Sequence, residues 1–474
     1  GERRALHNRA ANEISVDRAM SPEILAWHLM EAGRDREALP QLIAAATHAN
    51  QAGSHEDSLT HLARARELLP AVPAGDERQH LSLALELATG TALVQTLGPA
   101  DPQVEAAYER ARELAVDAGS PTERFQAVWG SWFVHLMKGD LTREREYGRL
   151  VVEASRELDD DALALEAHHV QWSGLTLAGR PLEAMKHSDI GIENYRPERH
   201  HWLTFSYGGH DPGVCARNLN ALARWMTADV ETAHQRSRAA IALANDLAHP
   251  YSLLESTQAC LNMALLSRDH ATLTAEATRL VDLVDEGLLP EITKGYTDGF
   301  LGAALALDGD LNEAETMMRH AAPVWSEFWG AWCFPLDAVY ASVLADAGHV
   351  DEGLDHVKRT LSVAEDSGGH WWDAELLRVV AGLRLRRDED VAAAGDTYRM
   401  AIQIAADQGA LLLELRAASD FVELTQRSKG KDEARRYLAD VVSRVPEQEP
   451  FADLATARQL LASYPVVQDS QFLR

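Results

Sequence analysis

Residues 290–327 read PEITKGYTDGFLGAALALDGDLNEAETMMRHAAPVWSE. Ile292, Tyr296, Phe300, Ala303, Ala304 and Leu307 recur at three- and four-residue spacing, which is one face of a helix. Gly309 follows, a residue that tolerates the positive φ at which helices end. Asp310 is placed to cap the next helix, whose apolar face is Leu311, Ala314, Met317, Met318, Ala321 and Val324. The small residues Gly302, Ala314 and Ala321 let two helix axes approach closely. The stretch predicts an antiparallel helix pair joined by a Gly-Asp turn.

The same turn phrase recurs along the chain. It is Ala52-Gly53-Ser54, Leu97-Gly98-Pro99, Lys138-Gly139-Asp140, Ala178-Gly179-Arg180 and Thr227-Ala228-Asp229. It returns as Arg268-Asp269-His270, Asp308-Gly309-Asp310, Ala347-Gly348-His349, Arg387-Asp388-Glu389 and Lys429-Gly430-Lys431. Successive middle residues lie 45, 41, 40, 49, 41, 40, 39, 40 and 42 apart. A fixed period of this size is the mark of a repeat array. Alternating β-branched runs with Asn-Gly turns are nearly absent, so strands are not expected. HEAT-like, armadillo-like and long tetratricopeptide (TPR) repeats all fit a 40-residue helix pair, and the placement of small residues favours the last. The predicted fold is all-α, a right-handed superhelical solenoid of antiparallel helix pairs, TPR-like, with about 40 residues per repeat. Residues 1–52 have shorter spacing and are expected to form a helical connector or cap. Residues 53–445 are expected to form the array, and 446–474 a capping helix and tail.

Of the 474 residues, 46% are apolar and 25% charged, ordinary globular usage. The net charge of −28 argues against broad binding to nucleic acid or anionic lipid. Cys215, Cys260 and Cys333 are too far apart for a disulfide framework or a metal-ligand motif, which points to a cytoplasmic location. There is no apolar run near 18 residues. The chain starts at Gly1 where Met would be, read as an internal boundary of a longer protein.

Several phrases resemble one family. Arg3-Arg4-Ala5-Leu6-His7-Asn8-Arg9 resembles the segment after the winged-helix module in bacterial signal-transduction ATPases of the STAND class. Pro22-Glu23-Ile24-Leu25-Ala26-Trp27-His28-Leu29 resembles that family's next helix. Arg199-His200 through Phe205-Ser206-Tyr207, with Asp211-Pro212-Gly213-Val214, and Trp371-Trp372-Asp373-Ala374-Glu375-Leu376 resemble phrases of its TPR region. The resemblance implies a C-terminal sensor region behind an ATPase module, often with a class III cyclase or DNA-binding module in front. No Gly-x-x-x-x-Gly-Lys-Ser/Thr loop occurs in the chain, so ATP hydrolysis by it is not expected.

One repeat is stretched to 49 residues and holds 195–213, with Trp202, Phe205, Tyr207, His200, His201 and His210 beside Gly208-Gly209. Irregular segments on a repeat scaffold tend to carry function. Trp202, Phe205, Tyr207 and His210 are expected to line a partly enclosed pocket on the concave side, or else to plug a packing gap. Trp172, Trp332 and Trp371 are further candidates, because aromatic rings on first helices suit stacking on a ligand. Adjacent Trp371 and Trp372 are not both expected to face the core, and Trp325 and Trp329 flank the turn near Gly330. The paired His168-His169 and His200-His201 point about 100° apart on a helix and do not chelate by themselves. No metal, cofactor or catalytic residue is expected. Asp160 and its acidic neighbours are expected to cap a helix beginning near Ala162, and Arg384, Arg386 and Arg387 to be neutralised by Asp388-Glu389-Asp390.

Two functions fit. The first is a non-catalytic sensor and protein-interaction region of a larger signalling ATPase, its partners a protein, the upstream module or a small effector. The second is a stand-alone TPR adaptor holding basic peptide segments.

Overall fold

The computed structural model describes residues 2–15, 21–328, 330–388, 390–426, 431–447 and 451–463. Among these there are 24 α-helices and no strand. The first helices are α1 (Glu2–Ile14), α2 (Pro22–Glu31), α3 (Asp35–Gln51), α4 (His55–Leu68), α5 (Asp76–Leu97), α6 (Pro102–Ala118), α7 (Pro121–Lys138) and α8 (Leu141–Arg156). There follow α9 (Asp161–Leu177), α10 (Pro181–Asn194), α11 (Pro197–His200), α12 (Pro212–Met226), α13 (Val230–Leu247), α14 (Pro250–Ser267), α15 (His270–Asp285) and α16 (Thr293–Asp308). The last are α17 (Leu311–Phe328), α18 (Phe334–Asp346), α19 (Val350–Ser367), α20 (Asp373–Asp388), α21 (Val391–Gln408), α22 (Leu411–Thr425), α23 (Lys431–Arg444) and α24 (Ala452–Ser463). Consecutive helices pack as pairs, as in an α-solenoid: α5 on α6, α12 on α13, α16 on α17, α20 on α21.

The turn chemistry explains the period. Within pairs the chain reverses through positive φ at Gly139 (71°), Gly179 (72°), Ala228 (64°), Arg268 (57°), Gly309 (90°) and Gly348 (96°). After three of these the next residue caps the following helix through its side chain: Asp140 accepts from Arg143 N at 3.1 Å, Asp269 from Thr272 N at 3.1 Å, and Asp310 from Glu313 N at 3.3 Å. Asp269, expected at the turn itself, is therefore the cap, and Arg268 takes the left-handed position. Ala228 and Arg268 do without glycine there, at a cost of about 1 kcal/mol each.

The chain divides into two compact units. One comprises Gly1–Val170 and Pro197–His210, the other Gln171–Arg196 and Asp211–Arg474. In the first, α1 docks on α2, with Arg4 Nε donating to Ala32 O at 2.7 Å. The core of this unit centres on α7, where Phe125, Trp129, Trp132 and Phe133 are buried. Tyr108 of α6 lies where a Cβ on Gly130 would be, so Gly130 is what lets α6 and α7 approach. In the second unit, Gly299 admits Trp325, and Gly191 admits Trp172, in the same way. In 290–327 the expected face is buried at Tyr296, Phe300, Ala303, Ala304, Ala314, Met318 and Ala321. Leu307 is exposed at the very end of the helix, which stops at Asp308.

The second unit also returns on itself. Trp225 at the end of α12 stacks on Trp372, ring centroids 6.3 Å apart and planes 19° apart. Arg416 Nη1 of α22 donates to Leu266 O, near the end of α14, at 3.3 Å across 150 residues of sequence. Gly179, in the turn before α10, faces Gln408 of α21. These contacts cover faces that an open array would leave to solvent.

Candidate functional site

The stretched repeat holds α11, a 3-10 turn over His201–Phe205, and a reversal through Gly208 (φ 70°) and Gly209 (φ 74°). Residues 197–210 lie within the first unit, against α7 and α9. Arg199 pairs with Asp161 at 2.6 Å, and buried His200 reaches the same carboxylate at 3.4 Å. Tyr207 is 2% exposed and meets Phe125 and Trp129 edge-on, at 5.9 and 5.2 Å. Burial pushes its phenol well above the ordinary value. A Cβ on Gly208 would meet Trp129, and one on Gly209 would meet Gln95, so this reversal requires glycines for space as well as for φ.

His210 is buried beside Phe133 and His169. Its Nε2 lies 3.2 Å from His169 Nε2, and its Nδ1 lies 3.2 Å from Gly208 O. His169 Nδ1 lies 3.0 Å from Glu166 Oε2, and both of those side chains are buried. Of the predicted residues on this segment, Tyr207 and His210 are thus packed inward. Phe205 is half-buried, and Trp202 is 47% exposed, its ring 6.5 Å from Tyr207.

The other candidates sit elsewhere. Trp172 is buried against Gly191 and donates to Cys215 Sγ at 3.4 Å. Trp332 and Trp371 are buried with ring centroids 6.2 Å apart, and Trp371 Nε1 donates to Ala331 O at 2.9 Å. Trp371 and Trp372 are both fully buried, against expectation, because Trp225 arrives from α12 to cover the second ring. Trp329 lies outside the described residues. Asp160 caps α9 as expected, accepting from Ala162 N at 2.9 Å and Leu163 N at 3.2 Å. In the basic stretch Arg386 reaches Asp346 at 2.5 Å and Arg387 faces Asp351 at 3.8 Å, both acids of the preceding repeat; the side chains of Asp388 and Glu389, expected to neutralise it, lie outside those described.

Two polar clusters had no sequence signal. Asp337 is buried between Trp325 Nε1 at 3.0 Å and His356 Nε2 at 2.9 Å, and His356 lines a cleft of about 340 Å³ together with Arg319, Tyr340 and Arg359. Arg319 is already engaged by Glu315 and Glu352. On α20, α22 and α24, Glu375 pairs with Arg378 at 2.8 Å and Arg416 at 3.2 Å, while Asp420 and Asp453 complete the guanidiniums at 2.5 and 3.0 Å. Burial pushes the Glu375 carboxyl up, but the Arg378 and Arg416 charges outweigh it and hold it at about 2.

No family model matches the sequence. A Rhizobium meliloti (strain 1021) protein of uncharacterised function is 26% identical over 430 residues, covering 89% of this chain and 41% of that protein. The chain therefore spans under half the length of that relative. Similar solved structures include a Rap protein complexed with competence and sporulation factor (10% identity, 90% of this chain and 100% of that one, TM-score 0.44). The apo quorum sensor NprR from B. thuringiensis (11% identity, 86% and 97%, TM-score 0.36) and yeast Tom70 (14% identity, 97% and 95%, TM-score 0.35) are others. Scores this low carry no argument about function. No helix among the described residues is long and apolar enough to cross a membrane.

Proposed function

We propose that the chain is a non-catalytic sensor and interaction region of a larger bacterial signalling ATPase of the STAND kind. A protein partner or small effector docks where residues 197–210 cover α7 and α9, with Trp202 and Phe205 as contact residues. The single observation that carries this is the construction of the segment. Tyr207, His200 and His210 anchor it by burial, yet it holds Trp202 47% exposed beside them. A rigid scaffold presenting an aromatic side chain at low ordering cost is how interaction hot spots are built. The family-like phrases quoted above, and a relative more than twice the length of the matched region, support a further module acting with this one. An effector that prefers one state of the whole protein would shift that module's activity.

The test is a photo-crosslinking amino acid placed at residue 202 and, as a control, at Val116 of α6, which is 70% exposed, with both proteins expressed in the source cells. The expected result is a discrete adduct at 202 that is absent at 116. Equal adducts at both positions overturn the reading. So does Trp202→Ala leaving the full gene product's ATP hydrolysis and its response to cell extract unchanged.

A further inference from the structure

We propose that His169 and His210 are ligands, through their Nε2 atoms, of a divalent transition-metal ion, zinc in the first instance. Glu166 and the Gly208 carbonyl orient the two rings. The argument begins with the two ring nitrogens that meet. His169 Nδ1 lies 3.0 Å from Glu166 Oε2, and His210 Nδ1 lies 3.2 Å from the Gly208 carbonyl oxygen. The opposite nitrogen of each ring, Nε2, faces the other across 3.2 Å. Two occupants fit between them, a shared proton or a metal ion.

The angle separates the two. Lone pairs collinear with a shared proton at this nitrogen separation would put the ring centroids about 5.5 Å apart. They are 5.1 Å apart. Shared equally, this bends each ring axis from the N–N line by about 30–35°, which makes a poor N–H···N bond, since such bonds prefer angles above about 150°. An ion about 2.05 Å from both nitrogens subtends about 103° and asks for a bend of about 38°, close to what is present. Histidines that bind metals commonly hold their other ring nitrogen on a carboxylate or backbone carbonyl, as both do here. Neutral imidazole suits zinc, copper, iron and nickel. Two imidazoles leave two tetrahedral positions for other donors. The ion would staple residues 197–210 to α9, which places it under the segment that presents Trp202.

The full chain, stripped with chelator, is titrated with zinc against a competing chelator and separately with cobalt(II). One equivalent is expected, with the visible band of tetrahedral cobalt, release of about one proton near neutral pH and a raised melting temperature. His169→Gln and His210→Gln are each expected to weaken zinc by 100-fold or more, and Glu166→Gln by about 10–100-fold. His48→Gln, an exposed control, should leave binding intact. Should a glutamine variant fail to fold, X-ray absorption on the zinc-loaded wild type counts the imidazole ligands. Two support the site and fewer than two overturn it. Zinc affinity unchanged in His169→Gln also overturns it, as does a histidine NMR titration showing one shared proton that zinc does not displace.

Discussion

Each unit buries a glutamate on a helix that packs against a neighbouring pair, and the two behave in opposite ways. In the second unit, two guanidiniums hold Glu375 at about 2 against the upward push of burial. In the first unit, burial pushes Glu144 of α8 up to about 7, and its one close partner is an indole, Trp132 Nε1 at 2.6 Å. Burial always disfavours the charged form, and the partner decides the sign. Glu375, Arg378, Arg416, Asp420 and Asp453 form a set whose charges compensate within it. For Glu144 burial outweighs both the neutral Trp132 donor and the Arg145 charge, so it keeps its proton to near neutrality. A third buried glutamate, Glu166, lies against an imidazole instead, His169 Nδ1 at 3.0 Å.

The largest expected effect breaks the compensated set. Arg416→Ala leaves Glu375 and Asp453 short of a partner and removes the bond to Leu266 O. The expected loss is about 3–5 kcal/mol, read as faster amide hydrogen exchange in α20, α22 and the end of α14. Exchange in α7 should not change.

The next separates the two glutamates by pH. Glu144 has a raised folded value, so its ionisation costs stability progressively between pH ~4.3, the unfolded value, and about 7. Glu144→Gln should match wild type below pH 4 and gain up to about 3 kcal/mol above pH 7, measured by denaturant melts across pH. Glu375 has a lowered value, so its contribution is full above pH ~4.3 and lost as pH falls through about 2. The deficit of Glu375→Gln should therefore shrink only in strong acid. Parallel pH profiles for the two variants would end the contrast.

A smaller effect concerns the turns. Ala228→Gly relieves a left-handed alanine and should raise stability by about 1 kcal/mol. The smallest is Trp202→Ala, half exposed and expected to change stability by under about 0.5 kcal/mol. Tyr207→Ala, with the neighbouring ring buried on Phe125 and Trp129, should cost about 3–5 kcal/mol by thermal melts. Equal losses for the two would mean that Trp202 is packing too.

The sequence by itself determined the helix pairs, the period, the caps at Asp160 and Asp310, and the stretched repeat. These rest on local physics: which residue tolerates positive φ, which side chain reaches an N–H three residues on, which faces are apolar. Tertiary structure alone decided where the odd residues went. Nothing local distinguishes a tryptophan that lines a groove from one covered by a helix far earlier in the chain, so the burial of both Trp371 and Trp372 follows only from the arrival of Trp225. The histidines follow the same rule. His168-His169 and His200-His201 give no chelating spacing along one helix, whereas His169 and His210 meet from different elements, 41 residues apart. Burial, charge pairing and convergence of ring nitrogens are properties of distance in space, and a one-dimensional pattern constrains them only where the chain is its own neighbour.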